Sequence, residues 1–105
     1  MAWVYLVLAG AFEIVWAYTM KLSDGFTKPL YTSITIVTMV FSFALLSMAM
    51  KVLPLGTAYM IWTGIGAIGA FTIGVLFLGE ALTPMRVIAA LLLLSGLILM
   101  KLATK

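Results

Sequence analysis

The chain has 105 residues, 66% hydrophobic and 9% charged, with a net charge of +3, and its mean hydropathy is +1.30. A soluble domain of this size has too much surface for its volume to hide that many apolar side chains, so lipid is the solvent the composition demands. There is no His and no Cys, and the only acids are Glu13, Asp24 and Glu80, which excludes His-based acid/base chemistry, thiol nucleophiles, disulfides and the usual zinc sites.

The first apolar run, Met1 to Met20, contains a single charged side chain, Glu13. It lacks the basic flank of a signal peptide, and Glu13 interrupts the segment that would be its apolar core, so it reads as a membrane span. A carboxylate at mid-span costs about 2.5–3.5 kcal/mol on insertion scales. A chain that keeps one is expected to use it to bind a cation, carry a proton, or both. Ser23-Asp24-Gly25 and Pro29 end this run, and Lys51 with Pro54-Leu55-Gly56 ends the second. Gly79-Glu80 and Thr83-Pro84 end the third, and Lys101 to Lys105 close the fourth. Each run approaches the ~20 residues that a helix needs to cross hydrocarbon. The fourth is shorter between charges, Val87 to Met100, and Arg86 and Lys101 are expected to snorkel at its ends. The expectation is one all-α transmembrane domain over 1–105, with helices at about 2–21, 30–50, 55–78 and 84–103. Short loops should make successive helices antiparallel neighbours.

The six basic residues are scattered singly, without the cluster that nucleic acid would need. By side they tie: Lys21, Lys28 and Arg86 against Lys51, Lys101 and Lys105. Lys/Arg bias sets orientation, so a tie predicts weak preference or insertion both ways round. Chance gives the same tie equally well with so few charges.

Helical spacing puts Leu6, Ala9, Gly10, Trp16, Ala17 and Met20 on or beside the Glu13 face. Small residues there leave room for a ligand or a close helix, and Trp16 brings an indole N–H. On the third helix Tyr59 and Trp62 share a face. Trp3, Tyr5 and Tyr31 fit an interfacial belt, but Trp16, Tyr59 and Trp62 lie further in and are read as lining a polar site. Ser42, in mid-span, is another donor, although taken alone it is expected to bond its own i−4 carbonyl. A carboxylate feels two opposing influences: desolvation favours its neutral form and hydrogen bonds to the anion favour its charged form. Such a group can hold a proton or a cation, but not both, which is the minimum for exchange.

Gly64-Ile65-Gly66-Ala67-Ile68-Gly69 formally matches G-x-G-x-x-G, but dinucleotide binding needs a preceding strand and a helix start. Inside an apolar helix, Gly64, Gly66 and Gly69 are candidates for close packing or for a hinge. Ala89 and Gly96, one heptad apart in the fourth helix, suit helix–helix contact. Asp24 and Glu80, at span ends, are expected to be solvated.

The run Pro54-Leu55-Gly56-Thr57-Ala58-Tyr59-Met60-Ile61-Trp62-Thr63-Gly64-Ile65-Gly66 closely resembles the third-helix signature of the small multidrug resistance family. The resemblance extends to Glu13, to Lys21-Leu22-Ser23-Asp24-Gly25-Phe26 and to the four-span length. Glu13-Ile14-Val15-Trp16-Ala17 resembles the guanidinium-exporter branch, whereas the polyaromatic-drug branch usually has Gly-Thr in place of Trp16-Ala17. Met60, where the family commonly has Ala, and Tyr18-Thr19 are departures. The resemblance implies a multi-pass protein of the inner cell membrane, a transporter rather than an enzyme, with no cofactor or metal. It further implies an antiparallel, dual-topology homodimer that exchanges guanidinium-type cations for protons at Glu13. Trp16, Ser42 and Trp62 would orient the carboxylate, Tyr59 would line the site, and Gly10 would make space beside it. The alternative is a multidrug exporter of quaternary ammonium or polyaromatic cations. A two-helix rotary-ATPase proteolipid and a structural membrane subunit fit less of the pattern.

Overall fold

The computed structural model describes residues 1–104. Lys105, which enters the charge tie above, lies outside the described residues. Four helices follow one another: α1 (Ala2–Leu22), α2 (Pro29–Ala49), α3 (Leu55–Phe77) and α4 (Pro84–Ala103). All four are long and apolar enough to cross a membrane. The helical state itself follows from the solvent, because a spanning segment must satisfy its own backbone N–H and C=O groups. Hydroxyl residues at lipid depth do the same locally. Thr38 donates to the Ile34 carbonyl at 2.7 Å, Thr63 to Tyr59 at 2.7 Å and Ser95 to Leu91 at 2.8 Å.

Proline and turn chemistry set the ends. Pro29 and Pro84 occupy first-turn positions in α2 and α4, where a missing N–H costs nothing. Thr83 caps α4 by accepting from the Arg86 N–H at 3.2 Å. After α1 the chain reverses through three left-handed residues, Asp24 (φ 51°), Gly25 (φ 71°) and Phe26 (φ 66°). The Phe26 N–H is held on Ser23 Oγ at 3.1 Å.

The helices lie side by side in the order α2–α1–α3–α4, a slab measuring 42 × 35 × 16 Å. Neighbours in sequence are therefore only partly neighbours in space. α1 packs along both α2 and α3, while α2 and α3 touch at few positions. The reason is a small-residue seam. α3 presents Gly66 and Gly69 to α1, where an added Cβ would run into the Glu13 carboxyl and the Ile14 side chain. Gly10 on α1 answers with Ile65, whose Cγ2 would lie 2.6 Å from a Cβ at position 10. Close backbone approach of this kind drives helix association in lipid, where no hydrophobic gain is available. Thr19 and Thr35, 2.7 Å apart, add a polar link from α1 to α2.

α4 is the least covered element. Its backbone packs on α3 alone, and Leu97, seated over Gly64, is its only buried residue. Lys101 does not simply reach for water: its Nζ stands 4.2 Å from the centroid of the Trp3 ring, a cation–π contact that fastens the end of α4 to the start of α1.

Candidate functional site

Glu13 sits half-buried on α1, with its carboxyl laid against the bare backbone of α3 at Gly66. Its Oε1 atom is buried and has no hydrogen-bond partner among the described residues. One turn further along α1, the Trp16 indole Nε1 is also buried and unpartnered. Each such group costs about 1–3 kcal/mol when left unmade, and two in consecutive turns of one helix mark a place where stability has been given up.

Aromatic rings wall this region. Trp16 meets Phe43 edge-on at 6.3 Å between centroids, Phe43 meets Trp62 at 5.8 Å, and Trp62 meets Tyr59 at 5.7 Å. The series passes from α1 through α2 to α3. It presents ring faces, which attract cations, close to a carboxylate that would pair with one. Tyr59 is 54% exposed, so the series is open to its surroundings at that end.

Ser42 and Trp62 are held differently from the expectation. The Ser42 hydroxyl donates across the helix pair to the Ala9 carbonyl at 2.7 Å, not to its own i−4 carbonyl, and accepts from Trp62 Nε1 at 3.0 Å. Ser42 is fully buried between the helices. In this chain the two donors therefore bind each other and the backbone of α1 one turn before Glu13, instead of the carboxylate. Ser42→Ala would leave the Trp62 N–H without an acceptor. Interhelical hydrogen bonds in membranes average ~0.6 kcal/mol, so a destabilisation of about 0.5–2 kcal/mol is expected. Reversible denaturant unfolding in lipid bicelles reads it.

The remaining candidates fall elsewhere. Gly64 is covered by Leu97, and Gly69 by Ile14, both within an unbroken α3. Ala89 lies beside Arg86 and Phe71 in a groove of ≈220 Å³ between α3 and α4. A side chain at Gly96 would meet nothing within 4 Å in this chain. Asp24 is exposed. Glu80 is not simply solvated, since its Oε1 takes the Arg86 Nη2 at 3.1 Å. Phe43 and the Ala9 carbonyl were not anticipated. The helical register offers a signal for the second, since Ala9 is one turn from Glu13 on the same face.

Comparison with known proteins adds sequence-wide likeness. Residues 1–94 match the family model described as Small Multidrug Resistance protein. A guanidinium exporter of Citrobacter freundii is 48% identical over 104 residues, covering 99% of each chain. One from Salmonella typhimurium strain LT2 is 50% identical over 103 residues, 98% of each, and one from Escherichia coli K12 is 48% identical over 104 residues, 99% of each.

Proposed function

The chain belongs to the small multidrug resistance family, and from that premise we propose that it exports guanidinium and small substituted guanidinium ions in exchange for protons. It is a multi-pass membrane protein and a transporter by family. The observation that carries the finer reading is the buried carboxyl oxygen of Glu13, unpartnered one turn from the unpartnered indole N–H of Trp16. The protonated acid is neutral and tolerates an apolar site. Once it releases its proton, the carboxylate needs a cation, and a planar guanidinium offers two parallel N–H donors to its two oxygens. Proton and substrate exclude each other from one group, so outward movement of one is tied to inward movement of the other.

The other residues take supporting roles in this proposal. Trp16, whose N–H has no partner among the described residues, is free to donate to the carboxylate once it is charged, and the Ser42–Trp62 pair fixes α2 and α3 on α1 beside it. Tyr59 lines the way in. Gly66 gives the carboxyl its space, Gly10 makes room for Ile65 rather than for the carboxyl, and Gly64, Gly66 and Gly69 let α3 shift between facings. A tetraalkylammonium ion lacks N–H donors and depends on ring faces alone. Transport currents across proteoliposomes holding the purified protein separate the two readings. Guanidinium and methylguanidinium should give currents that tetramethylammonium does not; currents from tetramethylammonium with none from guanidinium would favour the multidrug alternative.

The working unit is proposed to be two copies inserted in opposite senses, each copy acting as one transmembrane domain. Support comes from the tie in basic residues and from α4, whose Ala89 and Gly96 offer small surfaces that a second α4 could approach. Reporters fused to the C-terminus should then be active on both membrane faces. A reporter confined to one face overturns the dual insertion and leaves the substrate assignment standing.

A further inference from the structure

Arg86 carries a guanidinium of its own, and the protein holds it in a receptor. Nη2 donates to Glu80 Oε1 at 3.1 Å, Nη1 donates to the Ala81 carbonyl at 2.7 Å, and Cζ stands 5.2 Å from the centroid of the Phe71 ring. A carboxylate, a carbonyl and a ring meeting on one planar cation are the acceptors that a free guanidinium ion would use. Backbone geometry forms this receptor. The left-handed turn at Gly79 (φ 71°) folds the chain back so that the Glu80 N–H donates to the Gly74 carbonyl at 3.0 Å. The Glu80 carboxyl then rests against Gly74, where a Cβ would come within 2.7 Å of it.

We infer that Glu80, Ala81 and Phe71 form an outer binding site for guanidinium-class cations, occupied by Arg86 as a tethered stand-in that a free ion displaces. The inference rests on guanidinium as substrate and deepens that reading. The side chains of Arg86 and Glu80 are 38% and 43% exposed, and an ion pair so open to its surroundings parts readily. Between α1 and α3 lies a pocket of ≈120 Å³ lined by Ala17, Tyr18, Lys21, Ala70, Ile73 and Glu80. Ala17 is one turn past Glu13, and Ala70 one turn past Gly66, on which the Glu13 carboxyl lies. The pocket therefore begins on the α1–α3 seam one turn beyond the deep carboxylate and ends at the outer one. From residue 13 to residue 21 the axis advances about 12 Å at 1.5 Å per residue. Lys21 is the cation that lines this pocket, but its ammonium lacks the flat fork and competes as a point charge. In an antiparallel pair, one such site would open at each membrane face.

Glu13 and Glu80 are the only glutamates, which makes a clean experiment available. In full-length Glu13→Gln protein, labelled with carbon-13 at the glutamate carboxyl and reconstituted in nanodiscs, Glu80 gives the sole labelled signal. Guanidinium and methylguanidinium chloride should move that signal saturably, while tetramethylammonium chloride at equal ionic strength should not. Adding Arg86→Gln should lower the half-saturating concentration about tenfold, because a tethered competitor at millimolar effective concentration is removed. Arg86→Lys, which keeps the charge and guards against a loosened loop, should fall between. A shift shared with tetramethylammonium, a shift that never saturates, or a half-saturation point indifferent to Arg86 overturns the outer site. The substrate reading fails separately, if the natural chain passes no guanidinium current, since the Glu80 signal is measured without transport.

Discussion

Glu13→Gln should abolish guanidinium–proton exchange in proteoliposomes while leaving the four-helix fold intact. Glutamine keeps the shape of the side chain and its place against Gly66, so no cavity or clash is created. It also removes a mid-span acid whose insertion costs about 2.5–3.5 kcal/mol when charged. Helicity and monodispersity of the purified variant should therefore match those of the natural chain. Binding should not survive. Two charge-assisted hydrogen bonds at about 1.5–3 kcal/mol each are lost, and every 1.4 kcal/mol is tenfold, so affinity should fall roughly 10²–10⁴-fold. The proton side of the exchange is lost with it, because an amide does not titrate. Robust coupled exchange by a folded Glu13→Gln protein would refute the assignment. In the natural chain the same competition predicts that apparent guanidinium affinity weakens steadily as pH falls, which a binding isotherm taken at several pH values checks.

The four helices were legible because their ends are written in strong punctuation. Pro29, Pro84 and Pro54 sit where helices begin, and Asp24-Gly25 and Gly79 supply the left-handed turns. Glu13 and Trp16 were legible for the same physical reason that they stand out in space: polar atoms among apolar neighbours are few, and here Oε1 and Nε1 lack partners. The lateral order of the helices was not legible. Short loops fix which helix ends meet but not which faces, and α1 takes the central place because the glycines of α3 fit its surface. Sequence records those glycines without saying which helix they face. The Ser42 bond was misread because an i−4 carbonyl is always within reach of a helical serine. The alternative, Ala9, lies 33 residues away and appears only when α2 is laid on α1. The Arg86–Glu80 pair depended on the Gly79 turn and the Thr83 cap acting together, and neither alone points to it.

Gly66→Ala and Gly69→Ala should part function from stability, though they stand one turn apart on the same face of α3. A Cβ at position 66 would fall on Glu13 Cδ and both carboxyl oxygens, whereas one at position 69 would fall on Ile14 Cδ1 and Cγ1. A carboxyl at the end of a flexible side chain can rotate away, so α1 and α3 need not separate in Gly66→Ala. Its unfolding free energy should change little. On the proposed mechanism the cost should appear in the site, where the displaced carboxylate would lose one of its two bonds to guanidinium. At about 1.5–3 kcal/mol for a charge-assisted bond, that is roughly a 10–100-fold loss of affinity. Ile14 withdraws less cheaply, because its β-branched χ1 is stiff and turning Cγ1 and Cδ1 away leaves Cγ2, already 3.1 Å from a Cβ at position 69, in the seam. Gly69→Ala should push the helices apart at a cost of about 1–3 kcal/mol, the usual range for overpacking, with a milder effect on binding per folded molecule. Denaturant unfolding in bicelles, paired with guanidinium binding isotherms, measures both quantities for both variants. Equal losses of stability and affinity in the two would mean that Gly66 serves packing alone. Unimpaired binding by Gly66→Ala would mean that guanidinium does not meet Glu13 where its carboxyl now rests.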